Sequence, residues 1–291
     1  MRPALSWLLL AVVGAAPAVG AAEYRLQAAH SWVDNLSRTS AVPDQRAANV
    51  LALDASALQV RQLARDWTAL GALEAGIEQV PDWRGLDRWS LGARGTIRRK
   101  FGLGPFAPVL DAAVGLTRLD FREAGRSGWR GEGALTLSKR LTESWRVAGS
   151  AAWESTAARR EPFDNHGRRL ALEATWDVAP RARLAAGAAR YTGDVVANAA
   201  GGVWAQALAD GFGPRIGTYY RSTAWEVTDT FGPGWVAYRV QADADFLWAE
   251  ASLLLGDRTR AALRLETVKV VNVVDIRYDT EIWSLTLAHR F

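Results

Sequence analysis

From residue 23 to its end the chain alternates apolar and polar residues in segments of about ten residues or more. A period of two places one residue type on each face of an extended strand, so each segment predicts a strand lying between an apolar and a polar medium. Twelve such segments occur, near residues 23–33, 46–60, 66–79, 87–100, 107–121, 128–139, 144–157, 167–178, 181–192, 238–255, 259–271 and 278–291. No helical period of comparable strength competes, except over a few residues near 203–209. The connections sort into two kinds. Those after even-numbered segments are tight (62–65, 101–106, 141–143, 179–180, 256–258), and those after odd-numbered ones are longer or more polar (34–45, 80–86, 122–127, 158–166, 193–237, 272–277).

Short turns on one rim and longer loops on the other predict an all-β fold, a transmembrane antiparallel up-and-down β-barrel of about twelve strands. After the first 22 residues no stretch approaches the roughly 18 consecutive apolar residues of a membrane-spanning helix. A membrane form must then be a closed sheet, which satisfies every backbone group internally. Tryptophans supply a separate test, because their rings favour the two membrane interfaces. Trp67, Trp145 and Trp176 fall at the short-turn ends, and Trp32, Trp89, Trp129 and Trp283 in the opposite halves. The segment 218–230 also alternates and extends the sheet above the membrane; a further embedded hairpin there would give 14 strands.

The last segment carries a more specific signal. Trp283, Leu285, Leu287 and Phe291 fall on one face, interrupted only by His289, and the sequence ends on phenylalanine. This ending resembles the closing strand of Gram-negative outer-membrane β-barrels. The resemblance implies that Phe291 is the signal read by the outer-membrane assembly machinery and that the barrel contacts outer-membrane lipid; both termini lie on the short-turn rim, which is expected to face the periplasm. The other end agrees. Met1 and Arg2, an apolar run at 8–13 and small residues at 15–22 have the layout of a secretory signal peptide, removed near residue 22 to leave 23–291 as the barrel domain.

Composition narrows the chemistry. Cysteine is absent, which excludes disulfides, thiolate metal sites, thiol nucleophiles and a lipid-anchored cysteine. A formal charge of +4 from 35 basic and 31 acidic residues, with no long basic run, argues against nucleic acid as a partner.

Taking the Trp- and Leu-rich face as lipid-facing assigns the opposite face to the lumen. Outward rows such as Leu51, Leu53 and Ala55, or Leu170, Leu172 and Ala174, carry no charge. The inward rows carry Glu74, Arg94, Asp111, Arg130, Glu132, Arg146, Glu154, Arg169, Glu173, Glu250, Arg260, Arg264 and Glu266 as candidate lumen-lining residues. Opposite signs on neighbouring strands, such as Glu132 with Arg146 and Glu154 with Arg169, predict ion pairs, because buried charges need partners. Such a ladder either seals the barrel as a salt-bridged interior or forms a polar conduit. Twelve strands lie between the filled eight-stranded barrel and the open porin. The long connection at 193–237 offers Trp204, Tyr219, Tyr220, Trp225 and Trp235 as candidate loop contacts, forming a lid or stacking on a ligand.

Catalytic signals are thin. Barrel lipases pair His and Ser two residues apart on one strand; here His30 precedes Ser31 directly, His166 is followed by Gly167 and Arg168, and His289 lies at the periplasmic end. No zinc spacing or phosphate loop is present and no cofactor is implied. The expectation is a non-enzymatic, monomeric barrel, a narrow channel or uptake pore for a small polar solute. The alternative is a structural or adhesive barrel with a closed, salt-bridged lumen, and an enzyme acting on outer-leaflet lipid comes third.

Overall fold

The computed structural model describes residues 22 to 200, 224 to 273 and 275 to 291. Residues 1 to 21 of the segment expected to be a signal peptide lie outside the described residues. Thirteen strands are formed in chain order: β1 (Glu23–Val33), β2 (Ala48–Gln62), β3 (Trp67–Gln79), β4 (Arg88–Lys100), β5 (Val109–Phe121), β6 (Gly128–Arg140), β7 (Trp145–Ala158), β8 (Asn165–Ala179), β9 (Ala182–Ala199), β10 (Ala224–Thr228), β11 (Trp235–Leu254), β12 (Thr259–Asn272) and β13 (Arg277–Arg290). Twelve of them close an antiparallel barrel. Each pairs with its chain neighbour, β9 pairs with β11, and β13 returns to β1 with Arg25 opposite Arg290 and Val33 opposite Ile282. The short β10 stands outside the ring, paired with β11 alone.

Closure follows from the alternation. Outward positions expose Val114 (66%), Leu172 (71%) and Leu247 (62%), large apolar side chains that only a hydrocarbon surrounding stabilises. The twelve barrel strands, 11 to 20 residues long, reach or exceed the roughly 9 to 11 that a tilted strand needs to span a bilayer. At the short-turn rim Trp145 and Trp176, directly opposite in the β7–β8 register, stack at 5.6 Å with an interplanar angle of 3°. Phe291 caps the β13–β1 seam: its backbone N–H donates to the Tyr24 carbonyl at 2.9 Å and its ring meets His289 edge-on at 4.7 Å.

The connection at 193–237 departs from expectation. β9 runs on to Ala199, six residues past its last pairing with β8, and β11 starts at Trp235. Their pairing continues up to Val236 opposite Ala199. The alternation fades here for a physical reason: Trp235, Val236, Ala237 and Tyr238 are all buried, so both faces of the strand are covered and neither needs to be polar.

Candidate functional site

All thirteen candidate lumen residues lie on the inward-facing positions of their strands, the face opposite the exposed leucines. Their pairing is not the one expected. Glu132 stands opposite Glu154 in register, and its partner is Arg94, two strands away. Arg94, Gly115 and Glu132 form one row across β4, β5 and β6, and a Cβ on Gly115 would lie 2.7 Å from Glu132 Oε1. The missing side chain lets the guanidinium cross an intervening strand. Arg94 also lies 3.5 Å from Glu74. Further down, Arg98 holds Asp111 through two hydrogen bonds of 2.7 and 2.9 Å, a bidentate pair. Arg264 pairs with Glu266 on its own strand.

The ladder is not fully neutralised. Among the described residues Arg130, Arg146, Arg169 and Arg260 have no carboxylate oxygen within 4.0 Å, and neither Glu154, Glu173 nor Glu250 has a cationic partner at that distance. Unpaired ions in a dry interior would cost several kcal/mol each. The lumen is wet instead: the side chains of Arg94, Glu74 and Arg98 keep 36%, 43% and 46% of their surface accessible.

The outer mouth is treated differently. Strands about 4.8 Å apart and tilted by about 40° make a twelve-stranded ring roughly 24 Å across, and six extended residues reach about 20 Å. The upper β9–β11 hairpin, with β10 and the turn after it, forms a strap that crosses this mouth. The Phe231 ring lies 5.4 Å from Trp83, which sits between β3 and β4, the wall opposite the β9–β11 seam. Phe231 also packs on Trp235, over which the Arg46 guanidinium lies at 4.8 Å. Along the way Asn198 Nδ2 donates to the Ser37 carbonyl at 3.2 Å, the Ala200 N–H donates to Asp44 at 3.0 Å, and Arg239 reaches Glu161 at 3.3 Å. The strap thus touches the loops after β1, β3, β5 and β7.

Its densest polar contact is at Glu123, in the loop between β5 and β6. The Thr228 and Thr230 hydroxyls both donate to its carboxylate, and Arg126 Nε donates at 2.6 Å. Burial alone would raise the Glu123 pKa; the Arg126 charge and the three hydrogen bonds outweigh it and hold it below the ordinary glutamate value. Burial lowers the Arg126 pKa, opposed by Glu123, and the guanidinium stacks on Phe163 at 4.1 Å. Glu226 on β10 is pushed up by burial, which Arg160 at 3.9 Å only partly counters.

Below the strap lies a cavity of about 520 Å³ bounded by residues of β7, β8, β9, β11, β12 and β13, Glu154 and Arg169 among them, together with Arg94, Glu132 and Arg38 of the loop after β1. Of the candidate loop contacts, Trp235 is buried in the strap and Trp225 is 55% exposed on β10. Packing on Phe231 and Arg46 therefore removes Trp235 from solvent. Trp204, Tyr219 and Tyr220 lie outside the described residues.

The histidines gain neighbours that reading along single strands passes over. His30 Nε2 is 3.0 Å from Asn49, and His289 Nδ1 is 2.8 Å from the Thr259 hydroxyl. Ser155 of β7 stands directly opposite His166 of β8, whose Nδ1 is 3.5 Å from Asp194 Oδ2. The three form a row on the outward rim in the order serine, histidine, carboxylate. Only the histidine–carboxylate contact is made; among the described residues Ser155 has no hydrogen bond to the ring, which nucleophile activation requires.

No protein-family model matches the sequence, and no curated protein does. Solved structures do. An outer-membrane channel from Pseudomonas putida F1 superposes with a TM-score of 0.59 at 14% identity, covering 95% of this chain and 97% of that one. The two share a fold, a closed antiparallel β-barrel. The KdgM porin (TM-score 0.45, 8% identity, 92% of this chain and 99% of that one) and the NanC porin (TM-score 0.46, 6% identity, 91% and 98%) are more distant.

Proposed function

We infer that the chain is an uptake channel of the Gram-negative outer membrane for small solutes, with its outer mouth closed by the strap. The observation that carries this reading is the wet, incompletely paired charge ladder under a cover made of the chain's own hairpin. A barrel serving only as a scaffold gains nothing from unpaired arginines in its interior, whereas a conduit needs charge that a passing solute can exchange for water. In this reading residues 1 to 22 are the secretory signal, Phe291 is the assembly signal, the protein works as a monomer, and both termini face the periplasm, which leaves the strap on the outside.

Planar-bilayer recording tests the proposal. Ala197 stands opposite Tyr238, so replacing residues 197 to 238 by a two-residue turn leaves a hairpin between Val196 and Arg239. The intact protein is expected to show small, infrequent openings and the truncated one a steady conductance. If neither form conducts, the barrel is a closed scaffold and the channel reading fails.

A further inference from the structure

The lumen under the strap changes character with height. Along β12 the inward positions run Arg260, Ala262, Arg264 and Glu266, then turn to Val268 and Val270; along β11 Glu250 is followed upward by Trp248, Phe246 and Ala244. Register joins these positions into one surface, with Phe246 opposite Val268, Ala244 opposite Val270 and Ala244 also opposite Tyr191. Ile282 of β13 packs against the same cluster. Ala244, Val268 and Val270 are buried in this cluster, while Phe246 and Ile282 stay partly exposed along the cavity, where each Å² of apolar surface left in water costs roughly 25 cal/mol.

At the border of this wall, opposite Tyr191 in the β8–β9 register, stands Arg169. Its guanidinium carbon lies 4.3 Å from the centre of the Phe246 ring and 5.7 Å from Trp248. Arg98, Arg183 and Arg264 each hold a carboxylate; Arg169 holds none within 4.0 Å among the described residues. A guanidinium fixed on aromatic faces keeps its N–H edge in the plane of the group, free for a planar bidentate acceptor.

The cavity that contains both features measures about 520 Å³, within the range of small-molecule sites. The geometry points to a binding chamber for a small aromatic carboxylate. The acid group takes the Arg169 fork, and the ring lies on Phe246, Val268 and Ile282. A neutral aromatic would leave the arginine without an acceptor, and a small hydrophilic anion would leave the exposed parts of Phe246 and Ile282 in water. The chamber sits at the level of the outer membrane interface, because Val33 pairs with Ile282 and Trp32 with Trp283 in the same stretch of register. It is the first compartment a solute meets after the strap. The inference rests on the channel reading and names its cargo by chemistry.

Calorimetric titration of the full-length protein in detergent micelles tests it, with benzoate, acetate and benzyl alcohol as probes. Saturable benzoate binding is expected, with acetate and benzyl alcohol each weaker by about tenfold or more. Arg169→Gln is expected to weaken benzoate by about tenfold or more, and Arg169→Lys, which keeps the charge without the fork, by less. Heat-modifiable gel migration reports whether each variant keeps its barrel. Absence of saturable benzoate binding by the parent protein overturns the inference, as does unchanged benzoate affinity in folded Arg169→Gln. Conductance of the strap-truncated protein in potassium chloride separates the two proposals: steady current without benzoate binding removes the chamber and leaves the channel, whereas benzoate binding without current removes the channel.

Discussion

Replacing Glu123 by alanine should open the mouth. Arg126 lies on the same loop as Glu123 and stays beside it whether or not the strap is seated, so their ion pair contributes little to closure. What unseating breaks is the pair of hydrogen bonds from Thr228 and Thr230 to a carboxylate that is only 20% exposed. Hydrogen bonds to charged groups contribute about 1.5 to 3 kcal/mol each; at the lower end the two together give about 3 kcal/mol. That corresponds to roughly a hundredfold change in the ratio of open to closed states. Single-channel recording measures that ratio directly. Glu123→Gln, which keeps one acceptor, should recover about half of the free energy. The same carboxylate sets a pH dependence. Its pKa is depressed in the closed state, so its contribution to closure is complete at neutral pH and is lost as pH falls through that depressed value, below the ordinary glutamate value of about 4.3. Glu226 acts in the opposite sense: with its pKa raised by burial, it favours closure once protonated, at higher pH than Glu123. Openings should therefore increase only in strong acid. A Glu123→Ala trace indistinguishable from the parent's, with the barrel intact, would refute the reasoning.

Two further substitutions test the barrel wall. A Cβ at Gly187 would lie 2.2 Å from the Trp248 ring and 2.6 Å from the Leu172 carbonyl oxygen, so Gly187→Ala should destabilise the barrel by about 1 to 3 kcal/mol in urea unfolding from micelles; an unchanged midpoint would mean that Trp248 does not lie on the β9 backbone. Leu172→Arg faces lipid and should cost about 2 to 4 kcal/mol near the midplane, while Ala171→Arg, one residue away and facing the wet lumen, should cost much less; equal costs would remove the assignment of faces.

The twelve barrel strands were legible because a single apolar face against lipid forces a strict alternation, and the segments at 23–33, 128–139 and 259–271 lie within one residue of the observed bounds. Legibility failed where that asymmetry ends. The upper parts of β9 and β11 are covered on both faces, so Trp235 to Ala237 carry no alternation and fall in the connection expected at 193–237. The Arg94–Glu132 pair skips a strand, which opposite charges on neighbouring strands do not reveal; Gly115, an inward glycine inside a strand, is the sign in the sequence of a close approach. The row of Ser155, His166 and Asp194 depends on register across three strands, which spacing along one strand does not encode. The apolar patch is present in the sequence, since the inward row of β12 changes from Arg264 and Glu266 to Val268 and Val270, but charge marks the lumen face only where charges occur.

The strap and the barrel are held by different kinds of interaction, and the difference bears on what each can do. Every barrel strand is fixed by a ladder of backbone hydrogen bonds with no solvent alternative in the membrane, so the ring cannot open without large cost. The strap is fastened to the four facing loops chiefly through polar contacts: Glu123 with Thr228 and Thr230, Arg239 with Glu161, Asn198 with the Ser37 carbonyl, and Asp44 with the Ala200 N–H. At the water-facing mouth each of these can be exchanged for a hydrogen bond to water, for a net loss of about 0.5 to 1.5 kcal/mol in the neutral cases. Among the described residues an apolar contact, Phe231 against Trp83, lies at the far end of the strap, where it meets the opposite wall with Trp235 of the strap packed behind it. An aromatic contact contributes most when water is excluded from both rings, so a solute able to wet or replace Phe231 would act at the point where the strap has the longest lever arm.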